Sequence, residues 1–346
     1  MPVSKSPGHA AWLKTRLRRM LAHVGWTVSR IKPEDRRNYF VSADDSIALP
    51  RGAAEDLRAD HPKLRDLRER YAKLDLPVSI HSQWHAKKVS IELDLQRFRG
   101  DNVYVWQYRQ MRTGAARLRQ YLAMKYVESR DALGLLPKLK EDGLFGCWLF
   151  QYGSRPAVSR DLLDSVNEIN FLEQKIGLTG QPGLRVLDIG AGYGRLAYRM
   201  AEALPNLAAY DCVDAVPEST FLCSYYLNYR GVNTKARAIP LDRLGEELAR
   251  QYHLAVNIHS FSECRREAIR WWLQRVAERD IPWLLVVPND PEQLLSTESN
   301  GEHLDFLPDV TAAGYELACK APVYDDAELL DLISVRDHYF LFRRRG

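Results

Sequence analysis

The 346-residue chain has few of the features that would assign it to a specialised class. It carries five cysteines, at 147, 212, 223, 264 and 319, none in a C-x-x-C pair. An odd count at wide spacing argues against a disulfide framework or a zinc site, and fits a reducing compartment. No apolar run reaches the roughly 18 residues needed to span a bilayer. The basic N-terminus is not followed by the apolar stretch of a signal peptide. Internal repeats and low-complexity segments are absent. A net charge of +4 is too mild to demand a polyanionic partner. The expectation is a cytoplasmic protein.

The composition, 46% hydrophobic and 27% charged, supplies enough apolar material for a sizeable core. Length alone suggests two domains. The first 30 residues read as one basic amphipathic helix. Trp12, Leu13, Leu17, Met20, Leu21 and Val24 recur at helical spacing, with Lys14, Arg18 and Arg19 elsewhere. Such a helix suits peripheral membrane contact through residues 12–24. It suits packing on its own protein better, because both kinds share this pattern. A helical run follows near Glu55–Leu74, then the aromatic alternation Tyr104, Trp106, Tyr108, then a helix over about Arg112–Ser129. Tyr152-Gly-Ser-Arg-Pro156 reads as a loop, and the boundary is placed there. This gives residues 1–150 as a mainly helical accessory region and 151–346 as a second domain.

From Val158 strands alternate with helices. Helices are expected over Ser159–Gly177, Arg195–Leu204, after Pro217, Leu244–Gln251 and Glu263–Arg279. Strands are expected over Arg185–Ile189, Ala209–Val213, Ala236–Ile239, Leu254–Ile258 and Trp283–Val287. That alternation means an α/β fold, a doubly wound parallel sheet with helices on both faces. Tyr315–Ala321 and His338–Arg343 have no long helix between them and read as an antiparallel pair at the sheet edge.

The chemistry concentrates at Val186-Leu-Asp-Ile-Gly-Ala-Gly-Tyr-Gly-Arg195. A strand running into closely spaced glycines, then a helix N-terminus, lets a ligand approach bare backbone N–H groups. Asp214 ends the next strand, 24 residues after Gly190, where a nucleoside ribose would offer two hydroxyls. A dinucleotide site would place its third glycine at 195, where Arg195 stands. The carboxylate of Asp188 offers nothing to a pyrophosphate, but it favours a cofactor bearing an ammonium and a sulfonium.

This segment resembles motif I of class I S-adenosylmethionine-dependent methyltransferases, with Asp214 in the place of their second-strand acid. The resemblance covers about residues 155–346. It implies a Rossmann-like seven-stranded sheet with a final antiparallel strand. It also implies S-adenosylmethionine bound by Asp188, Gly190, Gly192, Gly194 and Asp214. Four shorter strings, Trp106-Gln-Tyr-Arg109, Phe221-Leu-Cys-Ser-Tyr-Tyr-Leu227, Asn257-Ile-His-Ser-Phe-Ser-Glu-Cys264 and Val287-Pro-Asn-Asp290, are similar to bacterial proteins described as sugar O-methyltransferases. Only that resemblance implies a sugar or glycan acceptor.

Methyl transfer to a hydroxyl needs alignment and a proton acceptor. His259, just after the fourth strand, is the candidate base. Glu263 is its candidate partner, although an acid at a helix start also answers the helix dipole. Asn289 and His303, with Asp290 and Asp305, follow the fifth strand and are candidates for holding acceptor hydroxyls. A divalent cation there is not favoured, since no tight ligand spacing appears. Trp106 and Tyr108 suit a carbohydrate face, but also a core. A non-sugar metabolite is the alternative acceptor. RNA is a weaker one, because the fourth strand lacks the Pro-Pro string of base methylases, and no stable nucleic-acid partner is expected.

Overall fold

The computed structural model describes residues 48–100, 114–248 and 251–346. The expected helix over residues 1–30, with its membrane-contact stretch 12–24, lies outside the described residues. So do Tyr104, Trp106 and Tyr108.

Ahead of the sheet lie α1 (Ala53–Asp56), α2 (Pro62–Tyr71), α3 (Ala86–Glu92) and α4 (Gly114–Arg130). The single helix expected over 55–74 is divided at His61. The residue before a proline is pushed out of the helical region, and His61 takes φ −57°, ψ 132° while Pro62 opens α2.

The remaining chain alternates as expected: α5 (Arg160–Ile176), β1 (Leu184–Ile189), α6 (Arg195–Ala203), β2 (Leu207–Val213), α7 (Pro217–Tyr229), β3 (Ala236–Ile239), α8 (Leu244–Glu247), β4 (Leu254–Ile258), α9 (Arg266–Ala277), β5 (Trp283–Val287), α10 (Leu307–Ala312), β6 (Tyr315–Pro322), α11 (Ala327–Ile333) and β7 (His338–Arg344). Capping sets the limits of α5. Ser159 Oγ accepts from Leu162 N at 3.0 Å, and Gly177 ends the helix at φ 62°. Two expected helices are shorter than their apolar spacing suggested. Leu248 turns extended after α8. The stretch Ser260–Glu263 is a single 3-10 turn ahead of an extended Cys264, so α9 starts at Arg266 rather than Glu263.

The seven strands form one sheet in the order β3-β2-β1-β4-β5-β7-β6. The first five are mutually parallel, and β7 runs antiparallel to both β5 and β6. This is the Rossmann-like methyltransferase fold. The expected antiparallel pair is present, with β6 outermost and β7 inserted beside β5. Strands β1, β4 and β5 are buried almost throughout, as helix-covered parallel strands must be. The helices before residue 150 and the sheet share one apolar core, which runs from Ala53 and Leu64 through Val186 and Leu285 to Phe342. The chain leaves β1 towards β2 on one side and returns to β4 on the other. The crevice at the carboxyl ends of β1 and β4 is therefore the switch point where such sheets bind ligands.

Candidate functional site

The glycine loop is fixed from below by β2 and from the side by β4. Gly190 N and Ala191 N both donate to the Val213 carbonyl, at 2.8 and 3.3 Å. Gly190 sits at φ 72°, and a Cβ there would overlap the Ser260 hydroxyl. Gly194 sits at φ 83°, and a Cβ there would come within 2.9 Å of Cys223 Sγ on α7. Glycine is required at both positions by backbone geometry and by close approach. Asn257, fully buried, ties the two sides of the crevice together. Its Nδ2 donates to Ile189 O at 2.8 Å and to Ser260 Oγ at 3.1 Å, while its Oδ1 accepts from Phe261 N at 2.9 Å.

Asp214 stands at the mouth of this loop. Its Oδ2 accepts from Gly192 N at 3.1 Å and its Oδ1 from Val216 N at 2.8 Å. The Ser219 side chain also hydrogen-bonds this carboxylate, whose two oxygens offer about four acceptor positions in all. The group is half-buried, and burial raises it to about 7, with Glu263 contributing in the same direction. A half-buried carboxylate held by two backbone N–H groups and the Ser219 side chain suits the two hydroxyls of a ribose. The residues present thus fit a nucleoside cofactor.

Asp188 is placed differently. It is 4% exposed, accepts from Tyr210 Oη of β2 at 2.9 Å, and is also raised by burial to about 7. Behind it, Arg195 makes a two-pronged ion pair with Glu168, both contacts 2.8 Å, and a further bond to Ser165 Oγ at 2.8 Å. The arginine that stands where a dinucleotide loop has its last glycine is therefore a half-buried counter-charge for the buried Glu168 of α5. Tyr193 in the loop donates to Asp161, also on α5.

His259 follows β4 with φ 63°, ψ −31°, an unusual conformation for a residue with a side chain. Its N–H donates to Val287 O at 2.7 Å and its carbonyl accepts from Ser262 N at 3.0 Å. Burial holds the imidazole below its usual range, so it is neutral at pH 7. The carboxylate within ion-pair distance of it is that of Asp337, 3.9 Å away. Glu263 is engaged elsewhere. Its Oε2 accepts from Trp84 Nε1 at 2.6 Å, and its carbonyl accepts from Ser82 Oγ at 2.9 Å. The structure brings Asp337 to His259, and Trp84 to Glu263.

Asn289 is exposed, with its N–H donating to Ser262 Oγ at 3.0 Å. His303 is exposed too, and its Nδ1 meets the Ser296 carbonyl at 2.9 Å, which folds the loop after β5. Among the described residues no three His, Cys, Asp or Glu side chains converge as a metal site, and no helix is long and apolar enough to cross a membrane.

Several residues of the site carry no local sequence signal. Tyr71 of α2 comes beside Asp214: its Oη lies 3.5 Å from the Asp214 carbonyl, accepts from Leu241 N at 2.8 Å and lies 2.9 Å from Thr220 Oγ1. Trp84, Tyr210 and Asp337 likewise arrive from segments remote in the chain. Asn257 and Ser260 lay inside a string singled out for its resemblance, but their task of joining β1 to β4 depends on the strand order.

No protein-family model and no curated protein matches the chain. Among solved structures it is similar to the [4+2]-cyclase SpnF at 13% identity over 64% of this chain and 96% of that one, TM-score 0.39. It is similar to an S-adenosylmethionine-dependent methyltransferase from Clostridium acetobutylicum ATCC 824 at 10% identity, over 53% and 91%, TM-score 0.38. It is similar as well to the mitomycin 7-O-methyltransferase MmcR at 16% identity, over 53% and 57%, TM-score 0.37. The fold assignment rests on the strand order and not on these likenesses.

Proposed function

We propose that the chain is an S-adenosylmethionine-dependent O-methyltransferase acting on a hydroxyl of a sugar or glycan in the cytoplasm. The observation that carries the cofactor half is Asp214, a half-buried carboxylate at the end of β2 whose oxygens are oriented by Gly192 N and Val216 N. The acceptor half rests on the sequence resemblance alone.

In this reading Asp214 holds the ribose, and the loop 190–194 presents backbone to the methionine part. Asp188 and Arg195 set the charge behind that loop. S-adenosylmethionine, held there, would supply an electrophilic methyl group for the acceptor hydroxyl. His259 accepts the hydroxyl proton. Its neutral state at pH 7 and its place at the end of β4 are what a general base requires. Glu263, fixed by Trp84 beside Asp214, borders the cofactor. Asn289 and His303 flank the acceptor side, and residues 1–150, with Trp106 and Tyr108, contribute acceptor recognition. A divalent cation is not favoured, and no stable nucleic-acid partner is expected.

Calorimetry with S-adenosylmethionine and with NAD tests the first half. Binding of the former and not the latter is expected, and the reverse overturns the proposal. Transfer of labelled methyl groups to a panel of monosaccharides, glycans and aromatic alcohols tests the second. His259→Ala should lower transfer by about 10²–10⁴-fold with cofactor binding retained. A rate near that of the unaltered protein removes His259 as the base.

A further inference from the structure

His259 and Asp337 come from strands that are not neighbours, since β5 lies between β4 and β7. Both are held by backbone. His259 N donates to Val287 O at the end of β5, and Val323 N donates to the Asp337 carbonyl at 2.9 Å. Asn167 of α5 in turn donates to Val323 O at 2.8 Å. The pair is thus built on three fixed elements, α5, β5 and the start of β7. His259 keeps a positive φ of 63°, a backbone conformation that persists in a residue with a side chain only where the surroundings impose it.

We infer that Asp337 is a positioning residue for His259, the two forming a dyad across the carboxyl end of the sheet in which the carboxylate stabilises the imidazolium created when His259 takes a proton. The inference rests on the methyltransferase reading for its chemical meaning.

The other charges around the ring make this role necessary. Arg160 on α5 and Arg195 on α6 both oppose a positive imidazole, and so does burial. Asp337 and Asp164 favour it, Asp337 more strongly. Among the described residues Nδ1 has no hydrogen-bond partner, and 3.9 Å from Nε2 to Asp337 is an ion-pair distance beyond hydrogen-bond reach. Asp337 therefore acts on the ring through its charge. Without it, Asp164 alone would stand against the two arginines that oppose protonation of the ring.

The test is an NMR titration of protein labelled with ¹⁵N-histidine, the His259 signal being assigned by its loss in His259→Gln. Asp337→Asn should shift the His259 midpoint down by about one pH unit or more. Asp337→Glu should restore it towards the original value, and Arg160→Gln should move it up. A midpoint in Asp337→Asn equal to that of the unaltered protein overturns the dyad. Should that variant not fold, the Asp337 carboxyl can be followed by ¹³C in His259→Gln, where loss of its cationic partner should raise its midpoint. An unchanged midpoint there also overturns the dyad. The outcome is separable from the parent proposal: absence of S-adenosylmethionine binding defeats the methyltransferase reading, whereas binding with an unmoved titration defeats only the dyad.

Discussion

Gly190 and Ser260 approach so closely that no side-chain carbon fits between them, because a Cβ on Gly190 would overlap the serine hydroxyl. The contact joins the loop after β1 to the turn after β4, the two banks of the ligand crevice. Gly190→Ala therefore meets two penalties, a φ of 72° and the overlap. Together they should destabilise the fold by about 2–5 kcal/mol. Adding Ser260→Gly should recover the part due to overlap and leave the part due to φ. Chemical denaturation of the single and double variants checks this, and equal stability of the two means that the contact is slack.

Asp214→Asn keeps one oxygen for the backbone N–H groups of Gly192 and Val216 but removes the charge and half the acceptor capacity. Losing a charged hydrogen-bond partner for the ribose should weaken S-adenosylmethionine binding by about tenfold to a hundredfold. Calorimetry reads this directly. Unchanged affinity would show that the acid does not hold the cofactor.

Asp188 supplies a pH signature in the ligand-free protein. Burial raises its native value to about 7, against about 4 when unfolded. The native state then binds the extra proton between those limits, so stability falls as pH rises from about 4 to 7 and levels off above. Asp188→Asn keeps an acceptor for Tyr210 and removes this slope. It should match the unaltered protein near pH 4 and exceed it by up to about 4 kcal/mol above pH 7. Unfolding midpoints of both proteins across that range give the difference, and a gap that does not widen with pH argues against a raised Asp188.

Arg99 is fully buried and joins the segment before residue 100 to the start of α5. It pairs with Glu141 at 2.7 Å and Asp142 at 3.1 Å, with Asp161 at 3.8 Å, while Arg199 reaches Glu141 from the other side at 2.8 Å. Arg99→Leu strands part of this negative charge and should cost about 3–5 kcal/mol. Urea unfolding measures it. A cost below about 1 kcal/mol would mean that Arg199, together with Arg230 paired to Asp142, satisfies the acids unaided.

The alternation of elements and the place of the crevice follow from local properties of the chain. Strands β3, β4 and β5 fall on the expected residues, and the loop 190–194 with Asp214 was legible, because strand period, glycine spacing and capping are local properties. Apolar spacing alone misjudged helix lengths where a single residue broke the run, as at His61 before Pro62 and at Leu248. Which charges meet depends instead on the packing of remote segments. That packing gave His259 the carboxylate of Asp337, 78 residues away, and gave Glu263 the indole of Trp84, 179 residues away. It also turned Asp188 towards Tyr210. Glu263 lies four positions after His259, but the 3-10 turn Ser260–Glu263 is not a helix face, so helical spacing does not bring them together. Pairing across a sheet depends on strand order, and strand order is fixed by burial of whole faces rather than by any short string of residues.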